Sequence, residues 1–452
     1  MNKKDFKKYM QQGLGRCVLA LQSSNDIEKY KDIVLWGCLH NLSYDTQCEG
    51  TRAFYIYELT TYFKDEDYFL IPTIEEFKKI PRKFDWLFSH FAELLRRFAE
   101  NGNDTAKKSL QKKYDQLLSA LLIKRRFNAY DFERDNFERI CIMLSSIGGI
   151  NIHLKIADDM GRLFKENPHY SGDDFDWFCS AMDEGIGEKR LNAILQRESK
   201  KSENIRCFYE NYLKSIEATQ NIARKPVKIP GAEDIKNEVI SRGALSPSSR
   251  VRFSRRAENE EKIKLAEEAI AEVNLDLKAE LLSAFAFRDE SFPLSHESII
   301  EYSKSSHERL REVAFEVLTN CQSDVVRKYA LSLLADENYK ACALKMLLCN
   351  YIPDIKQPLL TELYKIKIDY KDNFDWHSIG SKILNVCDQN IRLPKEFFIY
   401  IYETTLCSCC REYAVRSLAK HRWLTRDMIE ECRYDSNHDI SQYINRYYPL
   451  TN

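Results

Sequence analysis

Apolar residues recur along this chain at three- and four-residue spacing, and that period predicts helices almost throughout. Phe84, Leu87, Phe91, Leu94 and Phe98 fall on one face of a helix. Ile205, Phe208, Tyr212 and Ile216 follow the same rule, as do Ile263, Ala266, Ile270 and Val273. No run of alternating apolar residues with hairpin turn chemistry competes with them. Helix starts are also readable. Pro72-Thr73-Ile74-Glu75-Glu76 has the form of a capping box, in which the Thr73 hydroxyl accepts from the Glu76 N–H and the Glu76 side chain reaches back. Ser246-Pro247 sets a cap and then a proline in the first turn, where its missing N–H costs nothing. Ser323-Asp324 precedes a further apolar helix. These signals divide the chain into many helices of roughly 10–20 residues.

The pattern weakens from Ala223 to Arg256, through Lys225-Pro226, Ile229-Pro230-Gly231, Arg242-Gly243 and Ser246-Pro247-Ser248-Ser249. This stretch reads as a junction, giving an N-terminal helical domain over 1–222, a basic linker over 223–256 and a second helical domain over 257–452. In the second domain one pattern recurs. Arg311-x-x-Ala314-x-x-x-Leu318, Arg327-x-x-Ala330-x-x-x-Leu334 and Arg411-x-x-Ala414-x-x-x-Leu418 place a small residue where a neighbouring helix must approach closely, and a leucine one turn later to fill the gap. Asp324-Val325-Val326-Arg327-Lys328-Tyr329-Ala330 resembles the Asp-x-Val-Arg-x-x-Ala helix of HEAT repeats. The resemblance to the HEAT/armadillo type covers Leu275–Tyr447 and implies an all-α fold: an α-solenoid of helical repeats, with the N-terminal half as a further helical domain. The family implies a broad binding surface and no single activity.

Composition sharpens this picture. Glycine (14) and proline (11) are scarce for 452 residues, as helices on short loops require. Apolar residues make up 44% and charged residues 30%, enough to bury a core. The net charge of −1 lacks the surplus that counterion release rewards in a dedicated nucleic-acid binder. Met1–Leu21 is basic at Lys3, Lys4, Lys7 and Lys8 without an apolar stretch of signal type, and the longest unbroken apolar run, Ile33–Leu39, is too short to span a bilayer. With 14 cysteines and no such signal, the expectation is a cytoplasmic chain with buried free thiols and no membrane contact.

Four features are candidates for chemistry. Trp36, His40, Tyr44, Asp45, Glu49 and Arg52 form the densest polar cluster of the N-terminal half. Trp36, His40 and Tyr44 would share a helix face, Asp45 would cap the next helix, and Glu49 and Arg52 are spaced for an intrahelical pair. The cluster reads as a ligand pocket in which His40 works with a carboxylate, or as a tight corner in which Gly37 and Gly50 permit close packing; the corner is favoured. Cys407, Cys409 and Cys410, with His421, Cys432 and His438 downstream, have the residue types of a zinc site but not a common spacing, so buried thiols and no metal are expected. Arg250, Arg252, Arg255 and Arg256 follow Arg224, Lys225 and Lys228, and Arg96, Arg97, Lys107, Lys108, Lys112, Lys113, Lys124, Arg125 and Arg126 form a second basic stretch. Either could contact phosphates; solvated faces balanced by Glu258, Glu260 and Glu261 are the plainer reading. Gly13-Leu14-Gly15 is too short for a phosphate loop, and no Walker, zincin or nucleophile-elbow motif occurs.

The functional expectation is a non-catalytic scaffold or adaptor that uses no cofactor and binds an unidentified protein partner. The alternative is a nucleic-acid-binding repeat protein that resembles the HEAT-type alkylpurine DNA glycosylases, for which Trp36, Asp45 and Arg52 are suitable residue types.

Overall fold

The computed structural model describes residues 1–80, 86–124, 132–167, 187–220, 228–287, 291–366, 374–388 and 391–449, and every regular element among them is helical. Phe84, Arg125, Arg126, Arg224, Lys225 and the side chain of Ile216 lie outside the described set. The chain divides into two compact units, one formed by Met1–Ala223 with Thr425–Asn452 and the other by Arg224–Leu424.

The first unit contains α1 (Lys3–Gln12), α2 (Arg16–Ser23), α3 (Lys31–Cys38), α4 (Thr46–Glu49), α5 (Ala53–Thr60), α6 (Asp67–Lys79), α7 (Trp86–Glu100), α8 (Asp104–Ile123), α9 (Phe132–Glu166), α10 (Glu188–Glu198) and α11 (Glu203–Gln220). It is completed by the last two helices of the chain, α24 (Arg426–Cys432) and α25 (His438–Tyr447). Helix α7 packs on α5, α6, α8 and α9, which is why its apolar stripe is wide. Phe91, Leu94 and Phe98 are buried as the spacing predicts, and Phe88 and Leu95 are buried beside them. Ile205, Phe208 and Tyr212 are likewise buried on α11, which lies along α9.

One local expectation fails here for a physical reason. Thr73 is no cap: α6 begins at Asp67, carries Pro72 inside it, and turns the Thr73 hydroxyl back onto the Phe69 carbonyl at 2.7 Å. Helix α9 is long and apolar enough by composition to cross a membrane, a property hidden from a search for unbroken apolar runs. Gly149 (φ 61°, ψ −166°) kinks it, a backbone that a residue with a Cβ adopts only with strain.

The second unit opens with α12 (Ala232–Arg242) and α13 (Pro247–Arg256), so much of the expected linker is folded. Ile235, Val239, Leu245 and Phe253 are buried, and that apolar content secures the segment despite its glycines and prolines. Ser246 caps α13 by accepting from the Ser249 N–H at 3.3 Å, with Pro247 in the first turn. Helices α14 (Asn259–Ala271), α15 (Leu275–Leu282), α16 (His296–Tyr302), α17 (Glu308–Leu318), α18 (Asp324–Leu333), α19 (Lys340–Cys349), α20 (Lys356–Lys365), α21 (Phe374–Asp388), α22 (Lys395–Thr404) and α23 (Ser408–Lys420) follow. On α14 the buried stripe is Leu265, Ala266 and Ala269, whereas Ile263 is exposed and Val273 lies beyond the helix end, also exposed. The small residues take the inner face because α12 and α15 both press on this helix.

These helices form two layers. In one layer α15, α17, α19, α21 and α23 pack in succession; in the other α16 packs on α18, and α20 on α22. Links between layers join α14 to α15, α16 to α17, α18 to α19 and α22 to α23. Ala314, Ala330 and Ala414 are fully buried, as the repeated pattern requires of a close-approach position. The three copies are nevertheless not equivalent, since α17 and α23 belong to one layer and α18 to the other. Their arginines diverge too: Arg327 pairs with Asp324 on its own helix at 2.7 Å, while Arg411 is fully buried. Asparagines at helix ends join successive pairs. Asn350 accepts from the Ser323 N–H at 2.7 Å and donates to the Cys321 carbonyl at 2.8 Å and the Met346 carbonyl at 2.9 Å. Asn320 donates to the Phe287 carbonyl at 3.1 Å and accepts from buried Lys382 at 2.9 Å.

Residues 425–452, which the sequence pattern placed at the end of the repeat domain, group instead with the N-terminal helices. Gly13 and Gly15 supply the reason. A Cβ at Gly13 would sit 1.9 Å from the Ser436 hydroxyl, and one at Gly15 would sit 2.0 Å from the Glu431 carbonyl oxygen. The pair lets the returning chain touch the α1–α2 turn. Arg16 then grips the Glu431 carboxylate with two hydrogen bonds, of 2.7 and 3.0 Å.

Candidate functional site

The cluster around His40 is assembled at the C-terminal end of α1. A helix leaves its last carbonyls without intrahelical partners, and each needs a donor when it is buried. At the end of α1 and in the turn that follows it, three segments supply donors. The Arg52 guanidinium donates to the Gln11 carbonyl, the Ser436 N–H to the Gly13 carbonyl at 2.9 Å, and the Tyr55 hydroxyl to the Leu14 carbonyl at 2.8 Å.

Arg52 also pairs with Glu49 at 2.8 Å, and the two side chains are only 2% and 1% exposed. The pair forms at the predicted spacing but is not intrahelical, because Gly50 (φ 69°) separates α4 from α5. Asp45 caps α4, accepting from the N–H groups of Gln47 at 2.9 Å and Cys48 at 3.3 Å, and the Asp45 N–H donates to Glu49 at 3.3 Å. Three of the expected site residues thus act on backbone and on each other.

The aromatic part of the cluster stands apart. Helix α3 ends at Cys38, so Tyr44 lies in the following loop and not on a shared face with Trp36 and His40. His40 is exposed, its Nδ1 donates to the Trp36 carbonyl at 2.8 Å, and its ring stacks on the Trp36 ring with centroids 4.5 Å apart. Lys7 approaches the same indole, its Nζ 4.0 Å from the ring centroid. Gly37 is in tight packing, since a Cβ there would lie 3.0 Å from Ile56 and 3.1 Å from Met10. The histidine of this corner with a shifted titration is one that sequence spacing did not single out. His90 is fully buried, its Nε2 lies 3.0 Å from the Cys38 carbonyl, and burial pushes its pKa down to about 4.

The basic segments are largely engaged. Arg96 is held by Glu93 and Glu100, and Arg97 pairs with the same two carboxylates and covers the Phe54 ring. Lys113 is buried over Phe77, Lys124 pairs with Glu133 at 3.1 Å, and Lys107, Lys108 and Lys112 lie on α8. On α13 the Arg252 guanidinium bonds the Ser248 carbonyl at 3.0 Å and Arg255 stacks over Phe287 at 5.2 Å. Arg250 is half-buried and Arg256 is exposed. The two basic stretches belong to different units.

The cysteine cluster resolves differently from the spacing argument. His421 turns back onto the Ser417 carbonyl at 2.9 Å and stacks on Trp423, while Cys432 and His438 belong to the first unit. Instead His377, on α21, comes to Cys407 and Cys410 at the start of α23, with one donor atom from each residue lying within 4.8 Å of the others. Cys407 occupies the cap position of α23 and its Sγ accepts from the Cys410 N–H at 3.4 Å. The Cys410 thiol is raised well above the usual range, first by its hydrogen bond with Cys407 and then by burial. The sequence signal available for this group was the Cys-x-x-Cys spacing of 407 and 410; nothing local marked His377, thirty residues upstream of Cys407.

A further feature lies between α20 and α22. Gln357, Leu360, Thr361, Tyr364, Lys365, Glu396 and Ile399 line a groove of about 460 Å³. Tyr364 is 56% exposed and meets Tyr400 edge to face at 5.1 Å. Lys356–Glu396 (2.7 Å) and Lys365–Glu362 (2.6 Å) ion pairs stand beside it.

Comparison of the chain with protein-family models, with curated proteins and with solved structures returns no match.

Proposed function

We propose that this chain is a non-catalytic binding scaffold, a helical-repeat protein of solenoid type whose second unit carries a partner protein. The observation that carries the reading is the groove between α20 and α22. It has an apolar floor at Leu360 and Ile399, an exposed tyrosine at its lip and ion pairs at its edge. An aromatic anchor within an apolar patch edged by charge is the usual anatomy of a protein interface. Stacked helix pairs present such a patch readily, because each pair buries its apolar face against its neighbours and leaves its outer side chains to recognition. Further exposed apolar side chains on this unit, Val325 and Leu331 on α18 and Tyr413 on α23, are consistent with wide contact.

The roles of Asp45, Glu49 and Arg52 weigh against an acid–base pocket, since their charged groups are occupied by helix ends and by one another. The nucleic-acid reading gains no specific observation. The test is affinity capture from native cells with the wild-type chain and with Tyr364→Asp. Loss of a stoichiometric co-purifying protein in the variant, with helix content unchanged, supports the reading. Equal capture by both, or salt-sensitive retention of nucleic acid by both, overturns it.

A further inference from the structure

We propose that His377, Cys407 and Cys410 form a binding site for a thiophilic divalent cation, zinc above all. Cys407 and Cys410 are 4% and 7% exposed and His377 is half-buried, so the group is sheltered yet open on the imidazole side. The site joins two neighbouring helices of one layer, α21 and α23, which pack directly. Its position is fixed by local structure. Cys407 sits at the helix start with its backbone N–H bonded to Thr405 Oγ1 at 3.1 Å and its sulfur bonded to the Cys410 N–H. Cys-x-x-Cys at the first turn of a helix therefore aims both sulfurs to one side.

The donor chemistry selects the ion. Two thiolates with one imidazole are a borderline-soft set, suited to zinc and poor for magnesium or calcium. With Zn–S near 2.3 Å and Zn–N near 2.0–2.1 Å, a tetrahedral site sets its ligand atoms roughly 3.3–3.8 Å apart. The three donor atoms here already fall within 4.8 Å of one another, so closure draws them together by about 1 Å. Binding displaces the two thiol protons to solvent and leaves the charge balanced, with one ion of charge +2 against two thiolates. The fourth position is left for water or a further ligand. Two cysteines alone would suit a disulfide equally well. The imidazole within reach of both sulfurs favours metal.

The test uses the full-length chain, reduced, stripped with a chelator and titrated anaerobically with Co²⁺ and then Zn²⁺. The expected result is one Co²⁺ per chain with thiolate-to-cobalt charge-transfer absorption and tetrahedral ligand-field bands, both removed by one equivalent of Zn²⁺. Cys407→Ser and His377→Ala lose stoichiometric binding, whereas Cys48→Ser, at an exposed cysteine of the other unit, retains it. Absence of charge-transfer absorption in the folded wild type overturns the proposal, whatever the variants do. So does a Cys407–Cys410 disulfide that forms in preference to the cobalt complex when both are offered, or unchanged binding in folded variants.

Discussion

Replacing Arg52 by alanine removes the guanidinium from a corner in which its partner has no access to water. The Glu49 side chain is 1% exposed, and it would keep a charge with its counter-ion gone. Removing one member of a buried ion pair costs about 3–5 kcal/mol, chiefly through the uncompensated charge that remains. The Gln11 carbonyl at the end of α1 would lose its donor as well, a penalty of about 1–3 kcal/mol that overlaps the first. His40→Ala removes only an exposed ring stacked on Trp36, worth about 0.5–1.5 kcal/mol. Urea titration followed by far-UV circular dichroism gives the overall transition, and peptide-level hydrogen exchange over 3–60 assigns the loss to the first unit. Arg52→Ala should destabilise that unit by about 3–5 kcal/mol. Arg52→Met with Glu49→Gln should recover part of the loss, because the stranded charge is then absent. The reasoning is refuted if Arg52→Ala stays within about 1 kcal/mol of wild type, the range of ordinary substitutions, or if His40→Ala costs more than it does.

Three further outcomes are expected. Gly15→Ala places a methyl 2.0 Å from the Glu431 carbonyl, so exchange in residues 426–447 should accelerate and stability fall by about 1–3 kcal/mol, the usual cost of overpacking; unchanged exchange would contradict the docking described. His90 is neutral when folded, with its pKa near 4 against 6.5 for the free side chain, so the unfolded chain binds the extra proton between those values. Stability should therefore fall as pH drops from about 6.5 to about 4, by on the order of 3 kcal/mol, and His90→Gln should flatten that slope in acid titrations read by circular dichroism. Asn350→Ala removes two hydrogen bonds that join successive helix pairs and a third to its own helix, and should lower the second unit's stability by about 2–4 kcal/mol, whereas a thermal midpoint equal to wild type would show the bridge to be idle.

Helical class was legible because it rests on local spacing. Phe91, Leu94 and Phe98, or Phe208 and Tyr212, need only one covered face, and any neighbour provides it. The Ser246 and Ser323 caps were legible for the same reason, since cap and recipient lie three residues apart. Thr73 misled because its motif is also compatible with a helix interior, where the hydroxyl bonds backwards. The partners of the candidate site were not legible, because long-range packing chose them. Glu49 and Arg52 were close enough in sequence to pair on paper, but the other target of Arg52, the Gln11 carbonyl at the end of α1, lies some forty residues away. His377 meets Cys407 only because α21 and α23 are neighbours in one layer. Gly13 and Gly15 were read against phosphate loops, yet they answer to residues 431–436, more than four hundred positions later.

The scaffold reading is tested most directly by hydrogen exchange of the full chain alone and in complex with the protein it captures. Slowed exchange over 356–365 and 395–404, the helices that line the Tyr364 groove, is the predicted result. Unaltered exchange in both helices with a bound partner, or protection confined to residues 36–52, would contradict it.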